Sequence, residues 1–313
     1  MTFWAINSRI IIFLFFCSLI FNCNISYAVK NKILFKINNE IITSVDVLNE
    51  IKYLNLLNKN LKNFDKNKIY EVATNSIIKN KVKENELRKF FKKFDVDKKY
   101  LNEITIKYFD KFDIYSIEEL QNLLQKNNLS LEEIQKKITI QILWNNLIFQ
   151  KFSKNVKIDK KLIKKEISKK EIQEEFLISE IVFNIKENET LEKKLVIIKN
   201  EIIKNNFSNA AILYSISDTA INGGKVGWVS LNSLSKKIRD QLNNLKVGEI
   251  TNPIQIPGGF IILKIENKKE NIVKINIEKE FEKIIKIKTN EQLNQFSNIY
   301  YNKVEKDIKI HEL

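Results

Sequence analysis

Histidine is almost missing from this chain. One occurs, His311, the third residue from the end of 313. Neither an imidazole-based catalytic triad nor a histidine metal centre can be built from it. Cysteine occurs twice, at Cys17 and Cys23. If the N-terminal segment that holds both is removed, no thiol remains. That excludes disulfides, thiolate metal sites and cysteine nucleophiles, and it suits an oxidising compartment where a stray thiol is a liability. No metal or other cofactor is expected. With only two prolines and six glycines, the few that exist are strong markers of turns.

What the chain has in excess is positive charge, 53 Lys and Arg against 38 Asp and Glu, a formal +15. Such a balance attracts acidic partners. A general bias toward Lys, Asn and Ile would produce it as well. No Arg-rich arm or basic cluster interleaved with aromatics stands out, so nucleic acid is not an expected partner.

Residues 1–28 have the pattern of a secretory signal. Arg9 supplies the positive end, and residues 10–21 form an apolar run too short to span a bilayer comfortably. Ser26-Tyr27-Ala28 places small residues where signal peptidase acts, so cleavage is expected after Ala28. The expected product is periplasmic, with a charge of +14 and no stable membrane insertion. Two alternatives stay open: an uncleaved anchor, and a lipoprotein cysteine at Cys23.

Residues 29–170 read as a short hairpin followed by helices. Asn38-Asn39 supplies the turn between β-forming runs. Thr43 with Asp46, Ser116 with Glu119 and Ser130 with Glu133 are helix starts in which a hydroxyl and an acid three residues on can cap free amides. Ile69, Val72, Ala73 and Ile77 carry one helical stripe. Ile134, Ile138, Ile142 and Phe149 carry another, with Trp144 in its middle. Such stripes are core positions first. If any side chains contact a bound polypeptide, Trp144 and Phe149 are the candidates. Residues 154–170 are rich in lysine and read as a solvated connecting helix.

Residues 171–268 hold the most informative pattern. A β-forming run at Phe176-Leu177-Ile178-Ser179-Glu180-Ile181-Val182-Phe183 is followed by an amphipathic helix at residues 191–205. The glycines then gather in three pieces: Ser215-Ile216-Ser217-Asp218-Thr219-Ala220-Ile221-Asn222-Gly223-Gly224-Lys225-Val226-Gly227-Trp228, Leu245-Lys246-Val247-Gly248-Glu249-Ile250, and Gly258-Gly259-Phe260-Ile261-Ile262-Leu263-Lys264-Ile265. In order and spacing this resembles a parvulin domain, the small prolyl-isomerase fold. Upstream, "INNEIITSVDVLNEI" resembles the N-terminal domain of SurA-like periplasmic chaperones. The resemblance implies an α+β chain: a mostly helical N-terminal domain over 29–170, a parvulin-like domain with a small antiparallel sheet over 171–268, and a segment 269–313 returning to complete the first. It also implies that Ile308-Lys309-Ile310 forms a strand pairing near Leu34–Ile37.

Peptide-bond rotation faces a barrier of about 18–20 kcal/mol. An isomerase lowers it with an apolar pocket and a polar network around the twisted amide. Active parvulins place a histidine on the first strand and another on the last, a Cys or Asp after the loop serine, and bulky residues on the floor. By resemblance, those positions here hold Glu180, Ile261, Ser217, Ile238 and Gly258. Asp218 is a substitute for the loop position if the loop shifts by one. No catalytic residue is therefore expected. The resemblance implies a chaperone for unfolded outer-membrane proteins or other exported polypeptides, handing them to outer-membrane assembly machinery. The alternatives are an active prolyl isomerase and a basic protein held peripherally on an anionic membrane.

Overall fold

The computed structural model describes residues 31–38, 40–167, 173–185, 189–271 and 277–313. The signal-like segment, residues 1–28, lies outside them, as does the end of the lysine-rich connector. Among the described residues no helix is long and apolar enough to cross a membrane.

The first strands, β1 (Ile33–Ile37) and β2 (Glu40–Thr43), form the expected hairpin, with Asn38 at a positive φ of 49°. Helix α1 (Ser44–Leu57) starts at a complete capping box. The Thr43 hydroxyl accepts from the amide of Asp46 at 3.3 Å, and the Thr43 amide donates to the Asp46 carboxylate at 2.8 Å. Four more helices follow: α2 (Lys66–Leu87), α3 (Lys98–Tyr108), α4 (Ile117–Lys126) and α5 (Leu131–Phe152). Ser116 and Ser130 cap α4 and α5 as their spacing predicts. Ile42, Leu54, Ala73, Phe109, Leu120 and Ile134 lie in one core.

The connector is not simply solvated. Helix α6 (Lys160–Ile167) buries Ile163 and Ile167 against Ile284 of α10 (Ile277–Lys306) and leaves its lysines outside. The amphipathic spacing of Ile163 and Ile167, four apart, is hidden by the lysine content around it.

The second sheet is built on β3 (Gln173–Phe183). It has the order β4-β3-β6-β5, where β4 is Lys225–Ser230, β5 is Ile254–Ile256 and β6 is Gly259–Asn271, with antiparallel pairing throughout. Strand periodicity sorts its side chains. Phe176, Ile178 and Val182 face one core with Ile261, Leu263 and Ile265. Ile181, Phe183 and Ile262 face the other, packed on α7 (Leu191–Lys204) and α8 (Phe207–Tyr214). Helix α9 (Lys236–Asn243) adds Leu242 and Ile238 to the first of these cores. The chain is thus α+β, with a small antiparallel sheet flanked by helices.

The end of the chain returns to its beginning. Strand β7 (Ile310–Glu312) pairs antiparallel with β1, matching Ile37 to Ile310, Lys36 to His311 and Phe35 to Glu312. The strand lies two residues beyond the expected Ile308-Lys309-Ile310. The reason is local: the amide of Ile308 still bonds back to the Glu305 carbonyl at 3.2 Å, in the last turn of α10, and its side chain packs on the helical core.

Candidate functional site

Strand parity places two of the five parvulin positions on one face of the sheet, and helix α9 lays a third, Ile238, against it. Glu180 and Ile261 point to the same side as the core that takes Ile238. Ile261 is 8% exposed and pairs across to Val182. This face carries the aliphatic side chains of Ile178, Val182, Leu263 and Ile265 beside them.

The loop after α8 is stitched onto β3 beside Glu180. The Ile216 amide donates to the Val182 carbonyl at 2.7 Å, and the Val182 amide donates to the Ser215 hydroxyl at 3.0 Å. The Glu180 amide donates to the Gly224 carbonyl at 2.7 Å. Gly224 is required there: its φ is +78°, and a Cβ would lie 2.2 Å from the Glu180 carbonyl oxygen. The tight approach brings Ser217 and Thr219 to the Glu180 side chain. Both hydroxyls donate to the same oxygen, Oε1, at 2.6 and 2.9 Å. Burial raises the Glu180 carboxyl above the ordinary range, opposed by these two donors, with the Asp218 charge adding to the rise.

Asp218 does not enter the cleft as a substitute. It turns outward onto the helical part of the chain. Its carboxylate takes the Lys79 ammonium at 3.0 Å and the Gln141 amide at 3.1 Å, with Lys83 at 3.6 Å. Lys79 also donates to the Ile216 carbonyl at 3.0 Å, and Lys83 to Gln141 at 2.6 Å. Crowding by protein works against the Asp218 charge, but the two ammonium groups outweigh it and hold the carboxyl below the usual range. Burial pushes the Lys83 ammonium down to about 8, against the pull of Asp218. A further tie joins Lys68 of α2 to Glu201 of α7 at 2.8 Å.

Gly258 sits apart from these, in the β5–β6 turn at φ +88°, where a Cβ would meet Ile299 of α10 at 3.1 Å. The same helix reaches toward Glu180. Burial raises the Glu291 carboxyl to about 7; Lys288 opposes the rise and the Glu180 charge adds to it. The structure therefore brings Glu180 and Ser217 into contact, sets Ile238 and Ile261 in the core beside them, and puts Gly258 against α10. Thr219, Lys79, Lys83, Gln141 and Glu291 were not foreseen. Lys79 and Lys83 are four apart on one helix, which alone identifies no partner.

The two aromatic candidates separate. Trp144 is fully buried; its indole donates to the Ser297 hydroxyl at 2.8 Å, and Tyr300 and Tyr301 pack on it. It is a core residue, which corrects its reading as a contact for polypeptides. Phe149 is 56% exposed. On the helix wheel it falls between Ile138 and Ile142, but the second half of α5 buries another face, that of Ile140, Leu143, Trp144 and Leu147. A groove of about 200 Å³ instead opens between α1, α2 and α5, where Ile41, Tyr53, Ile77 and Ile140 lie beneath Lys81, Lys136 and Lys137. Two of its acids are paired with lysine or arginine: Glu50 with Lys137, and also with the Ser76 hydroxyl, and Glu84 with Arg88, Lys81 and Lys136.

Residues 176–267 match the rotamase family, described as the PPIC-type PPIASE domain. Chaperone SurA of Pseudomonas putida is 24% identical over 173 residues, covering 51% of this chain and 40% of the relative. Chaperone SurA of Pseudomonas aeruginosa is 23% identical over 165 residues, covering 49% and 40%. The chain is SurA-like, with one parvulin domain. The matched stretch spans about two fifths of the length of these curated relatives. Among solved structures, a PpiC-type peptidyl-prolyl cis-trans isomerase domain is 29% identical, with a TM-score of 0.28, and covers 31% of this chain and 94% of that one. One of two structurally related SurA-like chaperones from Campylobacter jejuni is 18% identical, with a TM-score of 0.35, covering 90% and 99%. The PPIC-type match begins at Phe176, on the central strand, and ends at Asn267, so it takes in Glu180, Ser217, Ile238, Gly258 and Ile261 together.

Proposed function

We propose that this SurA-like chain is a periplasmic holdase whose parvulin domain is a structural part of the grip and not a catalyst. The observation that carries the reading is the Glu180 carboxylate. It stands where active parvulins hold an imidazole, and its Oε1 is already occupied by Ser217 and Thr219. A twisted prolyl amide would meet a carboxylate oxygen that already holds two donors, with Ile261 in place of the second imidazole.

The groove over Ile41, Tyr53 and Ile77 is the site for client segments. Its rim charges are largely paired with one another, so the apolar floor supplies the attraction. Unfolded outer-membrane proteins suit it, because their strands alternate apolar with polar residues along an extended chain. Release would pass them to outer-membrane assembly machinery. The surplus of positive charge favours capture of acidic segments and makes capture salt-sensitive. In this reading residues 1–28 are removed on export, residues 29–170 and 269–313 form the helical chaperone body, and residues 171–268 form the parvulin unit.

One pair of assays tests it. The chain without residues 1–28 is added at sub-stoichiometric amounts to a protein whose refolding is limited by proline isomerisation, and at equimolar amounts to an aggregating outer-membrane protein. The expected result is no acceleration in the first and suppression in the second, with suppression lost in Ile41→Glu. Catalytic acceleration of refolding would overturn the reading in favour of an active isomerase.

A further inference from the structure

A second cavity lies on the opposite end of α5 from the groove. It measures about 390 Å³ and is lined by Lys151 and Phe152 of α5 and by Phe296, Ile299, Tyr300 and Lys303 of α10. That is within the common size range for small-ligand pockets, about 300–1,000 Å³. Its walls are aromatic. Phe152 stacks on Phe296 with centroids 5.3 Å apart and an interplanar angle of 16°, and meets Tyr300 edge-on at 5.7 Å. The Tyr300 hydroxyl is engaged by Glu86, so its ring and not its polar tip serves the cavity. Aromatic faces of this kind favour another ring, stacked or edge-on, over an aliphatic chain.

The rim is cationic, and the six residues that line the cavity include no acid. The Lys151 ammonium rests over two rings, 4.4 Å from the centroid of Phe90 and 5.2 Å from that of Tyr300. Among the described residues neither Lys151 nor Lys303 has a carboxylate partner. This contrasts with the groove, where each lysine at the rim meets an acid. Phe90, exposed beside Lys151, extends the apolar surface beyond the mouth.

From the unpaired lysines above an aromatic floor, we infer that this cavity binds an aromatic side chain of an unfolded polypeptide that carries a carboxylate within one or two residues. The ring packs against the open side of the Phe152, Phe296 and Tyr300 cluster, and the acid meets Lys151 and Lys303. The inference rests on the chaperone reading for the source of the polypeptide, and it names a second contact point for the same client.

Fluorescence anisotropy with labelled 12-residue Gly/Ser peptides tests it, using the chain without residues 1–28. One peptide carries Phe flanked by two Glu, one Phe flanked by two Lys, and one Leu flanked by two Glu. The first should bind at least tenfold tighter than the second and severalfold tighter than the third. Lys151→Glu combined with Lys303→Glu should abolish the preference for Glu flanks. Lys199→Glu combined with Lys204→Glu, an equal charge change on exposed α7 positions, should leave most of it. Phe296→Ala should weaken binding of both Phe peptides, and the rim variants still decide the matter if that variant does not fold. Equal affinity for Glu and Lys flanks would overturn the inference, as would an equal loss from the α7 pair or occupation of the cavity by a second copy in a dimer. Binding of the Glu-flanked Phe peptide that survives in Ile41→Glu supports it independently. If the chain fails to suppress aggregation yet binds that peptide with this specificity, the chaperone reading falls and this site stands.

Discussion

The Asp218 carboxylate lies 3.0 Å from the Lys79 ammonium, and that contact ties the loop after α8 to helix α2. Lys83, with a side chain only 4% exposed, depends on the same carboxylate at 3.6 Å. Removing one partner of a buried charge strands the other. Asp218→Ala should therefore lower stability by about 1–3 kcal/mol in urea unfolding, since Lys83 would lose its ionic partner and keep the neutral Gln141 and the Trp144 ring. Hydrogen exchange of the amides at 216–224 should speed up in the same variant. Lys83→Met in the Asp218→Ala background should recover part of the loss, because an uncharged chain of similar length needs no counter-ion. An Asp218→Ala variant as stable and as protected as the parent would show that the loop is held by its backbone bonds alone.

A glycine contrast tests how closely the loop approaches the strand. At Gly224 a methyl group would collide with the Glu180 carbonyl, whereas at Gly227, φ +104°, nothing lies within 4 Å. Both substitutions force alanine into positive φ, which costs about 1–2 kcal/mol. Only Gly224→Ala adds a steric clash, for another 1–3 kcal/mol or so. The difference in melting temperature between the two variants measures that clash. Equal melting temperatures would mean the loop can shift away from β3 at little cost.

The legible part of the fold came from local rules. Thr43 and Asp46 declare a helix start wherever the tertiary contacts fall, and Gly223-Gly224 declares a turn that no side chain permits. The alternation from Phe176 to Phe183 set the strand, and the missing imidazoles followed from counting histidines. What stayed hidden depends on pairs distant in sequence. Trp144 looks the same on paper whether it lines a groove or fills a core; Tyr300 and Tyr301, more than 150 residues on, decide it. Asp218 was visible as an acid in the right loop, but its direction is set by Lys79 and Lys83 on another element. Helix periodicity misled at Phe149, because α5 changes partner along its length: Ile134 and Ile138 pack into the first core, whereas Trp144 and Leu147, on another face of the helix, pack with Tyr300 and Tyr301 of α10.

The β1–β7 pairing carries its own test. All three residues of β7 are exposed, so its contribution is mostly backbone bonding, including Asn38 to the Lys309 carbonyl at 3.1 Å and Leu313 to the Leu34 carbonyl at 2.9 Å. A chain ending at Ile308 loses these bonds and opens the edge of β1. The expected loss is about 1–3 kcal/mol. An open edge is also a template for another chain, so the truncated protein should associate at concentrations where the parent is a single species by sedimentation. Unchanged stability and unchanged sedimentation would show that β7 is dispensable.

The last expectation concerns pH. Glu291 holds its proton up to about pH 7 in the fold, against an ordinary value of 4.5. Burial is the first cause, and the neighbouring Glu180 charge adds to it over the opposition of Lys288. Between those two values the unfolded chain has released a proton that the folded chain keeps, so stability must fall as pH rises through the window. Each pH unit crossed there is worth about 1.4 kcal/mol. Partial access to solvent lowers the full value, which leaves a loss on the order of 1–2 kcal/mol between pH 5 and pH 8. Glu291→Gln cannot ionise and should lack this component. Unfolding curves of the two proteins should therefore converge at pH 5 and separate at pH 8, with the glutamine variant the more stable. Parallel curves across that range would assign the titration to another group and remove the evidence that α10 presses a second carboxyl toward Glu180.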